Sequence, residues 1–218
     1  MTRNADIGVS ITESFSFVSS VATECEALLK MAKEEVSRML LDADMKQAHS
    51  ASGDWMLSYE EDETGWLNTE LAASLALKQG RKKNPSGHVF VQISLAGYGI
   101  NASNNLEPLI HVGWWHDPIV FGETQMGFPI ENGKDYQLEL EEGVLFRWTH
   151  KAAPNEWCYA LRLTDVNTLQ DVTDLVVAPL KRLLLGHSVS DVLGRLPVVR
   201  FIAGQNDSES HQFSATPR

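Results

Sequence analysis

The sequence predicts an α+β fold, an antiparallel meander sheet of roughly five to six strands with long N-terminal and C-terminal helices packed on it. Three observations support this. Apolar residues recur at three- and four-residue steps before residue 45 and again after residue 168, and between those limits they alternate. The three blocks follow one another without internal repeats, unlike the strict strand–helix alternation of a parallel α/β protein.

Residues 1–16 are polar with scattered β-branched side chains and are expected as a flexible arm. From Phe17 to Asp44, Val18, Val21, Cys25, Leu28, Ala32, Val36 and Met39 form a helical stripe that Leu29 and Leu40 widen. Lys30–Glu34 and Glu34–Arg38 pairs are expected on its outer face. Such a stripe must be buried, either in its own chain or against a second copy. Gly53 opens the sheet, Trp55, Leu57 and Tyr59 alternate, and Glu60 to Gly65 make an acidic turn. That run lacks the alternate ligand spacing of a calcium loop. Residues 66–79 fit two patterns: Leu67, Leu71, Leu75 and Lys78 fall four or three apart among good helix formers, while Ser74-Leu75-Ala76-Leu77 alternate as a strand would; the helix, capped by Asn68 and ended by Gly80, is the expected form.

The best-defined passage is residues 88–121. Val89, Val91, Ile93 and Leu95 share one strand face, and a second strand runs from Leu109 to Trp115 until Pro118 ends it. Both are apolar on nearly both faces, so they are expected as antiparallel neighbours in mid-sheet. Gly97-Tyr98-Gly99-Ile100-Asn101-Ala102 between them matches a dinucleotide-binding fingerprint in letters only. Too few residues remain before Pro108 for a crossover helix to a parallel strand. The connection, including Ser103, is read as a solvent-facing loop that would tolerate a charge.

Gly122 to Gly133 is turn-rich, with Met126 and Phe128 able to fold back on the core. Tyr136, Leu138 and Leu140 alternate, Glu141-Glu142-Gly143 turns the chain, and Phe146 and Trp148 mark the return. Trp157 to Leu163 is a further strand. Thr168 and Asp171 form a capping box for the last long helix, Pro179 should kink it, and Gly186 ends it. Residues 197–203 are extended. The domain reading is thus a flexible arm (1–16), a single α+β domain (17–203) and a disordered tail (204–218).

The formal net charge of −11 opposes binding of polyanions, which rests on counterion release by Lys and Arg, so no nucleic-acid partner is expected. No apolar run is long enough to span a bilayer and no leader is apparent, so no membrane partner is expected and the cytoplasm is the default. The two cysteines lack metal or redox spacing and are expected reduced and buried. The seven histidines show no zinc-binding spacing, and no P-loop or nucleophile elbow occurs, so neither metal nor cofactor is expected.

His116-Asp117 at a strand end is the most enzyme-like pair, the carboxylate being able to orient the imidazole. Trp114 and Trp115 project from opposite faces, and with Tyr98 and Asn101 they are candidate ligand or interface residues. Two classes of function remain. One is a protein-interaction or adaptor domain with an acidic surface, binding a protein partner or itself as a homodimer. The other is an enzyme or small-ligand binder with a pocket at the 97–105 loop and His116/Asp117. The missing catalytic constellations favour the first.

Overall fold

The computed structural model describes residues 2–103, 107–127, 136–150, 156–203 and 213–216. Helix α1 (Thr2–Met39) is followed by the short α2 (Ala43–Ala48). Strands β1 (His49–Ala51), β2 (Met56–Glu61), β3 (Asn68–Gln79) and β4 (Gly87–Ser94) lead into a 3-10 turn at Gly97–Ser103. Strands β5 (Leu109–Trp115), β6 (Tyr136–Glu141), β7 (Leu145–His150) and β8 (Glu156–Arg162) complete the main sheet. Helix α3 (Leu169–Asp171), a π-helical turn (Val172–Val177), α4 (Ala178–Leu184) and α5 (Val189–Leu193) follow. Strands β9 (Phe201–Ala203) and β10 (Phe213–Ala215) pair with each other.

The class is α+β as the sequence indicates, but the sheet is larger. It has eight strands in the order β1-β3-β4-β5-β8-β7-β6, with β2 also on β3, and every pair is antiparallel. The β6–β7–β8 meander docks by its last strand, which places β5 in mid-sheet. Val112 of β5 stands between Val91 of β4 and Tyr159 of β8. The central antiparallel pair is therefore as expected, and a 3-10 turn rather than a crossover helix joins its strands.

Residues 66–79 depart from expectation: 68–79 are strand, not helix. Leu71, Ala73, Leu75 and Leu77 all point to the helix-covered face, and β4 pairs along one side while β1 and β2 share the other. Pairing on both sides overrides the modest helix propensity of Ala, Leu and Glu. Gly80 still takes a left-handed conformation (φ 55°), but at a strand end.

The sheet is covered on both faces. On one lie α1 and the C-terminal helices, burying Leu29, Val36, Leu75, Trp114, Tyr159 and Leu180 among others. On the other, the 97–103 turn, the 119–127 loop and β9 bury Phe90, Ile100, Met126, Phe146 and Trp148. Met126 folds back as expected; Phe128 lies outside the described residues. The Thr168–Asp171 capping box is present in both directions. Pro179, the residue expected to kink this helix, stands in the first turn of α4, where its missing amide costs least, directly after the π turn. Gly186 (φ 82°) closes α4, with His187 N–H donating to Arg182 O. Lys181 reaches Asp42 at 2.7 Å and Asp44 at 2.9 Å, tying this helical run to the α1–α2 corner.

Two further differences lie at the ends. Helix α1 already begins at Thr2, inside the stretch expected as an arm. Within the expected tail, residues 213–215 pair with 201–203 and Arg162 donates to Thr216 O; residues 204–212 and 217–218 lie outside the described residues.

Candidate functional site

Three places concentrate chemistry or unpartnered surface. The first is a buried polar row on the loop-covered face. Its side chains come from three adjacent strands, Glu70 on β3, Gln92 and Ser94 on β4 and His111 on β5, all fully buried. Register places Glu70 opposite Ser94 and Gln92 opposite His111. The Glu70 carboxylate accepts Gly99 N–H at 2.7 Å and Gln92 Nε2–H at 2.7 Å. His111 Nε2–H donates to Gly99 O at 2.8 Å. Gln92 also grips Met126, accepting its N–H at 2.9 Å and donating to its carbonyl at 2.8 Å. Ser74 on β3 accepts Ile119 N–H at 2.9 Å.

Burial disfavours charge at both ionisable members. It raises the Glu70 pKa to about 7, against the lowering effect of the Gly99 hydrogen bond, and lowers the His111 pKa to about 4. A carboxyl and an imidazole so perturbed resemble an acid–base pair. The geometry assigns them another task. Gly99 fills the space between them, and a methyl group there would come within 2.0 Å of Ser94 Oγ and 2.9 Å of Glu70 Oε1. The polar row clamps the backbone of two loops to the sheet and supplies buried partners for amides that would otherwise be orphaned.

The second place holds the residues singled out from sequence. His116 Nδ1 and Asp117 Oδ2 are 3.0 Å apart, so the pair does form, but both side chains are largely exposed. Tyr98 is half exposed on the 3-10 turn, and Asn101 lies partly buried on the same turn. Trp114 is buried under the helices, packing edge-on to His49. Trp115, partly buried on the opposite face, packs edge-on to Trp148 with ring centres 4.8 Å apart. The two tryptophans thus have intramolecular partners on their respective faces. Ser103, expected in an open loop, is buried and donates to Ile100 O and Glu107 O, both at 2.8 Å.

The third place is the surface along α1, which the sequence offered as a possible contact with a second copy but only from Phe17 onward. The stripe buried at Cys25, Leu28, Ala32 and Val36 continues toward the N-terminus through Val21, Val18, Phe15 and Ile11 to Ile7, at steps of three and four. Ile7, Ile11 and Phe15 are 56%, 54% and 62% exposed. Thr12, Ser14, Ser20 and Thr23 turn their hydroxyls back on carbonyls four residues earlier, so these polar groups are satisfied within the helix. Between residues 7 and 23 the only charged side chain is Glu13. Where α1 meets the 163–167 connection after β8, a cavity of about 330 Å³ opens beside Val21, Cys25, Leu28 and Val166. On the other flank, α1 and the edge strand β2 frame a groove of about 470 Å³. Among the described residues β2 pairs only with β3, and Met56, Leu57 and Tyr59 are close to half exposed.

Among the described residues there is no group of three His, Cys, Asp or Glu side chains placed to hold a metal, and no helix is long and apolar enough to cross a membrane. No family model, no curated protein and no solved structure matches the chain.

Proposed function

We propose that this chain is a protein-interaction domain that acts without catalysis and self-associates through the N-terminal part of α1. One observation carries the reading: the core-facing stripe of α1 runs on past the sheet, leaving Ile7, Ile11 and Phe15 with no cover among the described residues. A contiguous exposed apolar stripe marks a contact surface rather than scattered surface apolarity. A second copy is the partner that fits. The segment from 7 to 22 spans about 24 Å of helix, and two such segments laid antiparallel bring Ile7 toward the other copy's Val21–Ala22 and Ile11 toward its Val18. The net charge of −11 would otherwise hold copies apart, and this is the stretch nearly empty of charge. The segment also needs support, because Gly8, Val9, Ile11, Thr12 and a series of serines form a poor helix on their own. The alternative of an enzyme or small-ligand binder at the 97–105 loop draws no support from a turn whose glycine packs against Glu70 and Ser94.

Sedimentation equilibrium tests the proposal. Wild type is expected to dimerise with a Kd of order micromolar, and Ile11→Asp, a change at an exposed position, to be a folded monomer. A wild type that stays monomeric at about 100 µM, or an Ile11→Asp dimer as tight as wild type, overturns it.

A further inference from the structure

The free edge of β2 carries a second inference, independent of whether α1 self-associates. We infer that β2 and the groove between it and α1 form a docking site for an extended segment of another protein, added to the sheet as an antiparallel strand. The backbone of β2 is bonded to β3 on one side and offers its other edge, with apolar side chains, to solvent. Sheet proteins ordinarily blunt such an edge with lysine, proline or a cover, and an unblunted one is a template for strand addition. Here Met56–Tyr59 has neither charge nor proline, and the edge's charges, Glu60 and Glu61, with the register shift between them, are confined to the strand's end. Its two faces differ. Ser58 is taken by the loop, accepting Phe121 N–H at 3.0 Å, whereas Leu57 and Tyr59 on the α1 side open into the groove. An added strand would set alternate side chains there, against Leu57, Tyr59 and Ala27.

Charge decides the occupant. Lys30 and Lys33 line the groove against one carboxylate, Glu26. Lys30 has only a distant partner, Glu34 at 4.0 Å, and Lys33 has no ion pair among the described residues. On a chain of net charge −11 this is a local cationic wall, and it fits a partner segment with carboxylates beside its apolar residues. The docking segment is therefore short, extended and apolar–acidic.

The experiment uses two labelled octapeptides on the full chain, acetyl-TVTVTETE-amide and its charge-reversed control acetyl-TVTVTKTK-amide, read by fluorescence anisotropy. Wild type is expected to bind the acidic peptide at least about tenfold more tightly than the basic one. The Lys30→Glu/Lys33→Glu variant should reverse that preference, and Tyr59→Lys, at an exposed position, should abolish binding of the acidic peptide. N-methylation of alternate amides in that peptide should also abolish binding, as strand pairing requires. Equal binding of the two peptides, no binding of either, or indifference to N-methylation overturns the inference. So does a Tyr59→Lys protein that loses a wild-type dimer, which would give the edge to a second copy. Repeating the titration on Ile11→Asp separates this outcome from failure of the α1 proposal.

Discussion

Glu70 and His111 hold opposite sides of one residue: the carboxylate accepts the amide hydrogen of Gly99 at 2.7 Å, and the imidazole donates to its carbonyl at 2.8 Å. Both groups are driven toward neutrality by burial, and that predicts an unusual response to pH. Glu70, raised from 4.5 to about 7, contributes stability that is full below pH 4.5 and is lost as pH rises toward 7. His111, lowered from 6.5 to about 4, contributes stability that is full above pH 6.5 and is lost as pH falls toward 4. Each effect amounts to roughly 3 kcal/mol, and between pH 4.5 and 6.5 their slopes oppose. Wild-type stability, measured by urea unfolding, should be nearly flat across that window. Glu70→Gln should unmask the histidine, so that stability climbs with pH from 4 to 6.5. A flat profile in the variant would count against the buried pair.

Val112→Asp places a carboxylate at a fully buried position between Val91 and Tyr159. The cost is several kcal/mol, about 3–5, a large share of a typical stability margin. Thermal unfolding should show loss of the cooperative transition near ambient temperature. Trp66→Asp, at a side chain 75% exposed, should stay within about 0.5 kcal/mol of wild type. Ser103→Asp belongs with the damaging changes, because that hydroxyl joins Ile100 to Glu107 inside the loop.

Gly99→Ala and Gly8→Ala should move stability in opposite directions. At Gly99 the added methyl would meet Ser94 Oγ at 2.0 Å, and unfolding should show a loss of about 2–4 kcal/mol. At Gly8 nothing lies within 4 Å, and alanine should raise helix content with a gain of up to about 1 kcal/mol. Far-ultraviolet circular dichroism reads the second effect directly.

Both thiols should be silent toward a disulfide reagent in the native protein and fully reactive in denaturant. Cys25 and Cys158 are buried, and burial raises the Cys25 pKa to about 11 and that of Cys158 further. Cys25 borders the cavity beside Val21 and Val166, so under partial destabilisation it should label before Cys158. Rapid native labelling of Cys158 would contradict its placement in the mid-sheet strand β8.

Period-two patterning made the central strands and the β6–β7 hairpin legible, and three- and four-residue steps behind a capping box did the same for the C-terminal helix, because each pairs or packs mainly with what its own pattern implies. Strand β3 was legible only in part, in the alternation of Ser74 to Leu77. Leucines at 67, 71 and 75 satisfy a helical period, and only pairing with β1, β2 and β4, which local sequence does not encode, selects the extended form. That misreading hid Glu70 and with it the polar row. The visible clue was Gln92, Ser94 and His111 interrupting strands otherwise apolar on both faces, a pattern that calls for buried partners. The exposed length of α1 was hidden for a different reason: its serines and β-branched residues read as a loose arm until the helix is seen to continue the buried stripe.

The Lys181–Asp42 contact joins residues 139 positions apart, and it has a temporal consequence. α1 is synthesised before the sheet, and the helix carrying Lys181, which shares its stripe, follows 139 residues behind Asp42. At synthesis rates of about 5–20 residues per second, the nascent stripe waits on the order of ten seconds for its cover. During that interval Leu28, Leu29 and Val36 stand as open as Ile7 and Ile11 do in the finished protein. A polysome carrying neighbouring nascent chains would hold many such stripes close together, so premature pairing between chains is the hazard this topology carries, and holdase capture of α1 its natural remedy.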